Sequence, residues 1–239
     1  MSVPEVGTEI DPEIGGDIVE LDARAVRASV QIVSQASAAD LVRPTPCPDW
    51  TLAELLAHMT AQHNGFAAAA AGDGADLDHW QTGAPVADPV GEYAAAAERV
   101  TAAFAAAGVL AGEFALPEIS PKQPFPAAEA IGFHLVDYVV HGWDVARALG
   151  RGYDLEPDVL AAALAIAQAV PDGERRRRPG AAFAPRVAAS SGGPLGQIVA
   201  LLGRRPDWPR LSAPFPVPRS PFPARQRPQR PALRLSHER

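Results

Sequence analysis

The chain has 239 residues and a mass of 25.0 kDa, a length that suits one domain and can bury a sizeable core. A lone cysteine, Cys47, excludes an internal disulfide framework. No stretch approaches the ~18 apolar residues of a membrane span, and the first residues lack the basic and apolar regions of a signal peptide, so a soluble cytoplasmic protein without a membrane partner is expected. Charge is unevenly placed: residues 209–239 carry seven arginines against one acid, and the rest carry 14 basic against 27 acidic residues. An acidic body is poorly suited to nucleic acid, whose binders work by neutralising phosphates.

Taken in chain order, the elements are helices. After Gly15-Gly16, the spacing of Ile18, Leu21, Ala25, Ala28 and Ile32 predicts an amphipathic helix over about 17–38. A loop with Pro44, Pro46 and Pro48 follows. Thr51-Leu-Ala-Glu54 then reads as a capping box, with Trp50 and Leu55 placed for a hydrophobic staple, and opens a second helix running to about Ala71. A polar loop leads to a third helix over about 89–107. Residues 108–126 carry Pro117, Pro121, Pro124 and Pro126 and are expected to cross outside the bundle as irregular chain.

A fourth helix runs over about 127–149, ended by Gly150, and would be roughly 34 Å long. A fifth, apolar helix over about 156–170 and a short one near 195–202 complete the pattern, and no stretch alternates as a strand. Together these predict an all-α, up-down four-helix bundle with a long crossover and a short C-terminal extension. The organisation expected is a flexible N-terminus (1–16), a bundle (17–150), a helical extension (151–208) and a disordered Pro/Arg-rich tail (209–239).

The fourth helix carries the chemistry. From Ile131 to Ala146 it is apolar nearly all round, as a buried helix is. At 100° per residue, Asp137 lies about 60° and His141 about 20° from His134, so all three share one stripe. A carboxylate and imidazoles facing inward must be paired or coordinated. Asp137 and His141, one turn apart, could reach one cation, or could simply bond each other and fix helix packing. A third ligand would come from the second helix, where spacing leaves both His58 and His63 open. His79 and His237 are expected in solvent.

Two segments carry a resemblance. Thr45-Pro-Cys-Pro-Asp-Trp-Thr-Leu-Ala-Glu-Leu-Leu-Ala-His58 and Asp137-Tyr-Val-Val-His141-Gly-Trp-Asp-Val-Ala-Arg-Ala resemble the signature segments of an actinobacterial metal-binding family. That family is related to the N-terminal domain of mycothiol-dependent maleylpyruvate isomerase, within the DinB-like superfamily. The resemblance spans roughly residues 17–208 and implies a DinB-like bundle. It implies a divalent metal, commonly zinc, held by His58, Asp137 and His141. The isomerase commonly has Glu where this chain has Asp137. The stretch between Gly150 and the tail is too short for the isomerase's second domain, so maleylpyruvate itself is not the expected substrate.

By the same resemblance, mycothiol would be the cosubstrate, activated at the metal for transfer to, or isomerisation of, an electrophile that the sequence does not identify. A metal-dependent hydrolase, a non-haem iron oxygenase and a non-catalytic metal-binding or interaction module are the other readings. Oligomeric state is not legible. Cys47 is expected as a packed loop thiol, distant from His58. Asp144 could either support His141 or pair with Arg147 at the surface, and Arg175 to Arg178 reads as a solvated run.

Overall fold

The computed structural model describes residues 18–48, 50–178, 181–188 and 193–209. The expected flexible N-terminus and all of the Pro/Arg-rich tail beyond Pro209 lie outside the described residues. Helix α1 (Ile18–Val33) buries the predicted stripe but stops short of Ala38. There, the Ser37 backbone N–H and hydroxyl donate to Asp40 Oδ2 at 2.9 and 2.6 Å, local bonds that compete with helical ones. The chain doubles back, with Leu52 N–H on the Arg43 carbonyl and Ala53 N–H on the Leu41 carbonyl.

Helix α2 (Leu52–Ala70) begins on the predicted capping box. Thr51 N–H donates to Glu54 Oε2 at 2.8 Å, and Glu54 N–H returns to Thr51 Oγ1 at 3.4 Å. Helix α3 (Pro89–Phe104) is capped by Asp88 on Gly91 N–H. Helix α4 (Ala127–Leu149) ends on Gly150, whose φ of 67° is left-handed and favours glycine. Helices α5 (Pro157–Ala169) and α6 (Gly193–Leu201) form the extension. The expectation of no strands needs one small correction: β1 (Glu113–Phe114) pairs antiparallel with β2 (Phe125–Pro126).

The core falls into two layers, which fix the helix directions. One layer joins Ile18 and Leu21 of α1 to Phe66 and Ala69 of α2, Val100 and Phe104 of α3, and Ala130 and Ile131 of α4. The other joins Ile32 and Val33 to Leu52 and Leu55, Tyr93 and Ala97, and Val145 and Ala146. Helices α1 and α4 therefore run one way and α2 and α3 the other. This is an all-α, DinB-like four-helix bundle.

Parallel neighbours cannot be joined by a tight turn, so residues 71–88 must travel back along the bundle. That segment, rather than the proline-rich one, is the long crossover. Trp80 anchors it: its Nε1–H donates to the Gly74 carbonyl at 2.9 Å, and its ring covers Gly65, where a Cβ would come within 2.3 Å. Residues 81–88 are all exposed. The proline-rich stretch between α3 and α4 stays at one end of the bundle. It does not lie outside, because Phe114 and Leu116 are only 2% and 1% exposed and belong to the core.

The extension is fastened by arginines. Arg24 of α1 meets Asp158 of α5 at 2.6 Å. Arg176 corrects the reading of its run as solvated: it is buried and donates to the carbonyls of Val170, Pro171, Ala184 and Leu201. Four backbone acceptors at one guanidinium close the chain between α5 and α6. Among the described residues, no helix is long and apolar enough to cross a membrane.

Candidate metal centre

The stripe on α4 serves two separate places. His134, one end of it, points into the bundle and is fully buried with His63 and Asp22. Its Nδ1 lies 2.7 Å from Asp22 Oδ1 and its Nε2 lies 3.1 Å from His63 Nδ1. The network assigns the protons: His63 Nδ1–H donates to His134 Nε2, and His134 Nδ1–H donates to Asp22. His63 Nε2 is then a buried acceptor without a partner, and the ring is stacked on Tyr138 at 3.9 Å.

This chain of three spans α1, α2 and α4 and gives stability a pH dependence. Burial, then the nearby His134 and Arg99, holds the His63 imidazole well below its usual value. The unfolded chain takes up a proton near pH 6.5, whereas folded His63 stays neutral. Its contribution is therefore complete above that pH and declines as pH falls, by up to about 1.4 kcal/mol per unit. Asp22 works in the opposite direction, since burial raises its carboxyl. Comparing urea midpoints of wild type and His63→Phe from pH 7 to pH 5 isolates the first effect: wild type should lose stability more steeply. Equal slopes would refute it.

Asp137 and His141 look instead toward α2 and the half-exposed His58. One ligand atom from each of the three lies within 4.8 Å of the others. Spacing alone left His58 and His63 open; the structure brings His58 to this group and His63 to His134. His141 Nε2 is 3.4 Å from Asp137 Oδ1, and the Asp137 side chain keeps 20% of its surface exposed. Trp50 leans on His58 with ring centroids 4.6 Å apart, and the His58 and His141 rings meet edge to face at 5.3 Å.

The electrostatics suit a cation. Burial first, then the positive charge of His141, pushes His58 down to about 4, so it is neutral with one ring-nitrogen lone pair available. Burial would also lower His141, but Asp137, Asp144 and Cys47 around it raise it to about 10. Without a cation His141 is thus an imidazolium, and a cation would take the place of its Nε2 proton. Among the described residues, His58 has no hydrogen-bond partner. Two imidazoles and one carboxylate, with an exposed side, are a donor set that fits a divalent metal such as zinc.

The other face of His141 was largely hidden from sequence reasoning. Its Nδ1–H donates to Asp144 Oδ2 at 3.0 Å, which fixes the ring and settles Asp144 as a support for His141. The Asp144–Arg147 surface pair is not formed: Asp144 is fully buried, and Arg147 donates to the Trp208 carbonyl. Cys47 is a loop thiol as expected, and its Sγ lies 3.3 Å from Asp144 Oδ2, on the Nδ1 side of His141. Thr45 brings it there, accepting Cys47 N–H and donating to the carbonyls of Cys47 and Trp50, so the proline loop folds inward. Arg204, beyond α6, reaches the same carboxylate oxygen from Nε at 3.3 Å and Nη2 at 3.2 Å. Nothing in the sequence around Gly203-Arg204-Arg205 marks it.

Comparison with known proteins identifies the family. Residues 23–146, which contain all three members of the His58 group, match the family described as the mycothiol maleylpyruvate isomerase N-terminal domain. Two Mycobacterium tuberculosis proteins are similar: uncharacterized protein Rv0738 of strain ATCC 25618 / H37Rv and uncharacterized protein MT0763 of strain CDC 1551 / Oshkosh. Each is 32% identical over 190 residues, which cover 76% of this chain and 94% of the relative. No solved structure matches. With the bundle, the paired segments and the family match in agreement, the chain belongs to the mycothiol maleylpyruvate isomerase N-terminal domain family.

Proposed function

We propose that this protein binds a divalent metal, zinc being the best fit, at His58, Asp137 and His141, and uses it to activate a small thiol, mycothiol, against an electrophile. The reaction class is thiol transfer or thiol-assisted isomerisation. The observation that carries the reading is the convergence of three donors from α2 and α4, two of them partly exposed. A metal bound by three protein ligands supplies Lewis acidity and stabilises the thiolate of a coordinating thiol at neutral pH.

The chain's own residues set the conditions for that chemistry. Asp144 holds His141 with Nδ1 protonated, leaving Nε2 to face Asp137 and His58. Asp137 adds the group's only formal negative charge, and Trp50 covers one side of His58. The exposed portions of Asp137 and His58 leave a side from which a thiol can approach.

The test uses full-length, zinc-loaded protein with mycothiol and chlorodinitrobenzene as electrophile. Thiol-dependent conjugation should exceed the protein-free rate by tenfold or more, by analogy with single catalytic effects of about 10²–10⁴, and chelation should remove the excess. Metal-loaded protein without thiol-dependent turnover would overturn the enzymatic part and leave a metal-binding module. Ester cleavage without thiol would point to a hydrolase.

A further inference from the structure

The two ring nitrogens of His141 face two different donor sets. On the Nε2 side are His58 and Asp137; on the Nδ1 side are Asp144 and Cys47. Both sets meet the spacing one cation needs, with the three ligand atoms of each within 4.8 Å of one another. By donor chemistry the Nδ1 side is at least as attractive. It offers a thiol, a preferred zinc ligand, and a fully buried carboxylate whose Oδ1 has no hydrogen-bond partner. Spacing and ligand type therefore do not select the Nε2 side.

What separates the two sides is a fixed positive charge. Arg204 lies on the Nδ1 side, with Nε and Nη2 on Asp144 Oδ2 and Nη2 3.4 Å from Cys47 Sγ. Arg204 is 8% exposed, and its guanidinium is seated over the Phe183 ring at 5.7 Å and donates to the Leu202 carbonyl. A guanidinium cannot give up its proton in a protein, so a second cation between Asp144 and Cys47 would lie against a permanent charge. On the Nε2 side the same charge is felt by His58 and Asp137 only at longer range, because among the described residues Arg204 hydrogen-bonds to neither and is held on Asp144 and Cys47 instead.

We propose that Arg204 is a specificity-determining residue: it occupies the Cys47–Asp144 side of His141 with its own charge and so reserves the His58–Asp137 side for the metal. The inference rests on the metal reading above and extends it to a residue outside the matched segment 23–146. It also gives the extension after the bundle a part in metal selection, since Arg204 lies three residues beyond the end of α6 at Leu201.

Cobalt(II) is the probe, because a thiolate ligand gives it an intense near-ultraviolet charge-transfer band that nitrogen and oxygen donors do not. Full-length wild type should bind cobalt without this band and lose affinity on His58→Ala. Arg204→Gln keeps an amide donor for Asp144 and removes the charge; it should gain the band, and Cys47→Ser added to it should abolish the band. A band in wild type would overturn the proposal. So would an Arg204→Gln spectrum identical to wild type in protein with unchanged far-ultraviolet dichroism. If Arg204→Gln does not fold, the rate of Cys47 alkylation in wild type decides: saturating cobalt should leave it unchanged, and protection would overturn the proposal. Failure of wild type to bind cobalt at all would instead sink the metal reading itself, which keeps the two failures distinct.

Discussion

Substitution of His58 by alanine should lower divalent-metal affinity by more than the ~10–100-fold that follows loss of a mere supporting partner. The double substitution of Asp137 and His141 by alanine should leave purified protein essentially metal-free by elemental analysis. The physical reason is the distribution of donors: His58 is the only contribution of α2, and the other two are one turn apart on α4. Removing either side leaves too few ligands to displace water from the ion. Asp137→Asn should have a smaller effect, because an amide oxygen can still coordinate although the charge is gone. Near-stoichiometric metal in the double variant would eliminate this assignment. The fold should survive His58→Ala and Asp137→Asn, since both residues are partly exposed, whereas the double variant also removes the buried His141 and should cost some stability, limited because Arg204 still pairs with Asp144.

The largest stability effect is expected elsewhere, at His134. His134→Ala should destabilise the bundle by about 3–5 kcal/mol, because it removes the partner of a buried carboxylate and leaves Asp22 without compensation. For a domain of this size that is a fall in melting temperature of about 6–20 °C. The substitution also cuts the contact between α2 and α4 that passes through His63, and leaves a cavity among Phe66, Phe104 and Tyr138. Denaturation in urea at pH 7 measures it directly. A loss below about 1 kcal/mol would mean that the three-residue chain contributes no more than an ordinary hydrogen bond. Metal binding by the surviving folded protein should be close to wild type, which separates this buried group from the one at the opening.

Local signals in the sequence were read well where the physics was local. The capping box at Thr51 and Glu54, the glycine that ends α4 and the polar stripe on α4 depend on neighbours within a few residues. The stripe misled in one respect: a sector 60° wide is broad enough to serve two environments. His134 is met by Asp22, which sits beside Leu21 and Ala25 on the face of α1 that turns inward. A carboxylate in that place was a signal for a buried partner, and the apolar spacing around it drew attention away. Counting helical rise from His58 cannot reveal that Cys47 meets Asp144, because that contact depends on a loop that turns back on Thr45. Arg204 could not have been read at all. Its role depends on a contact across 60 residues of chain, made after α5 and α6 have packed.

The crossover that returns the chain between the two parallel helices gives the molecule a natural seam. Residues 81–88 are all exposed and supply no residue to the core, so cleavage there would sever the polypeptide without removing a core side chain. The two fragments would divide the donors, with His58 on the first and Asp137, His141 and Arg204 on the second. An ion at the centre would then act as an intermolecular rivet, and reassembly of the halves would depend on metal and on concentration. If the proposed centre holds an ion, the halves would join more tightly when the ion is present.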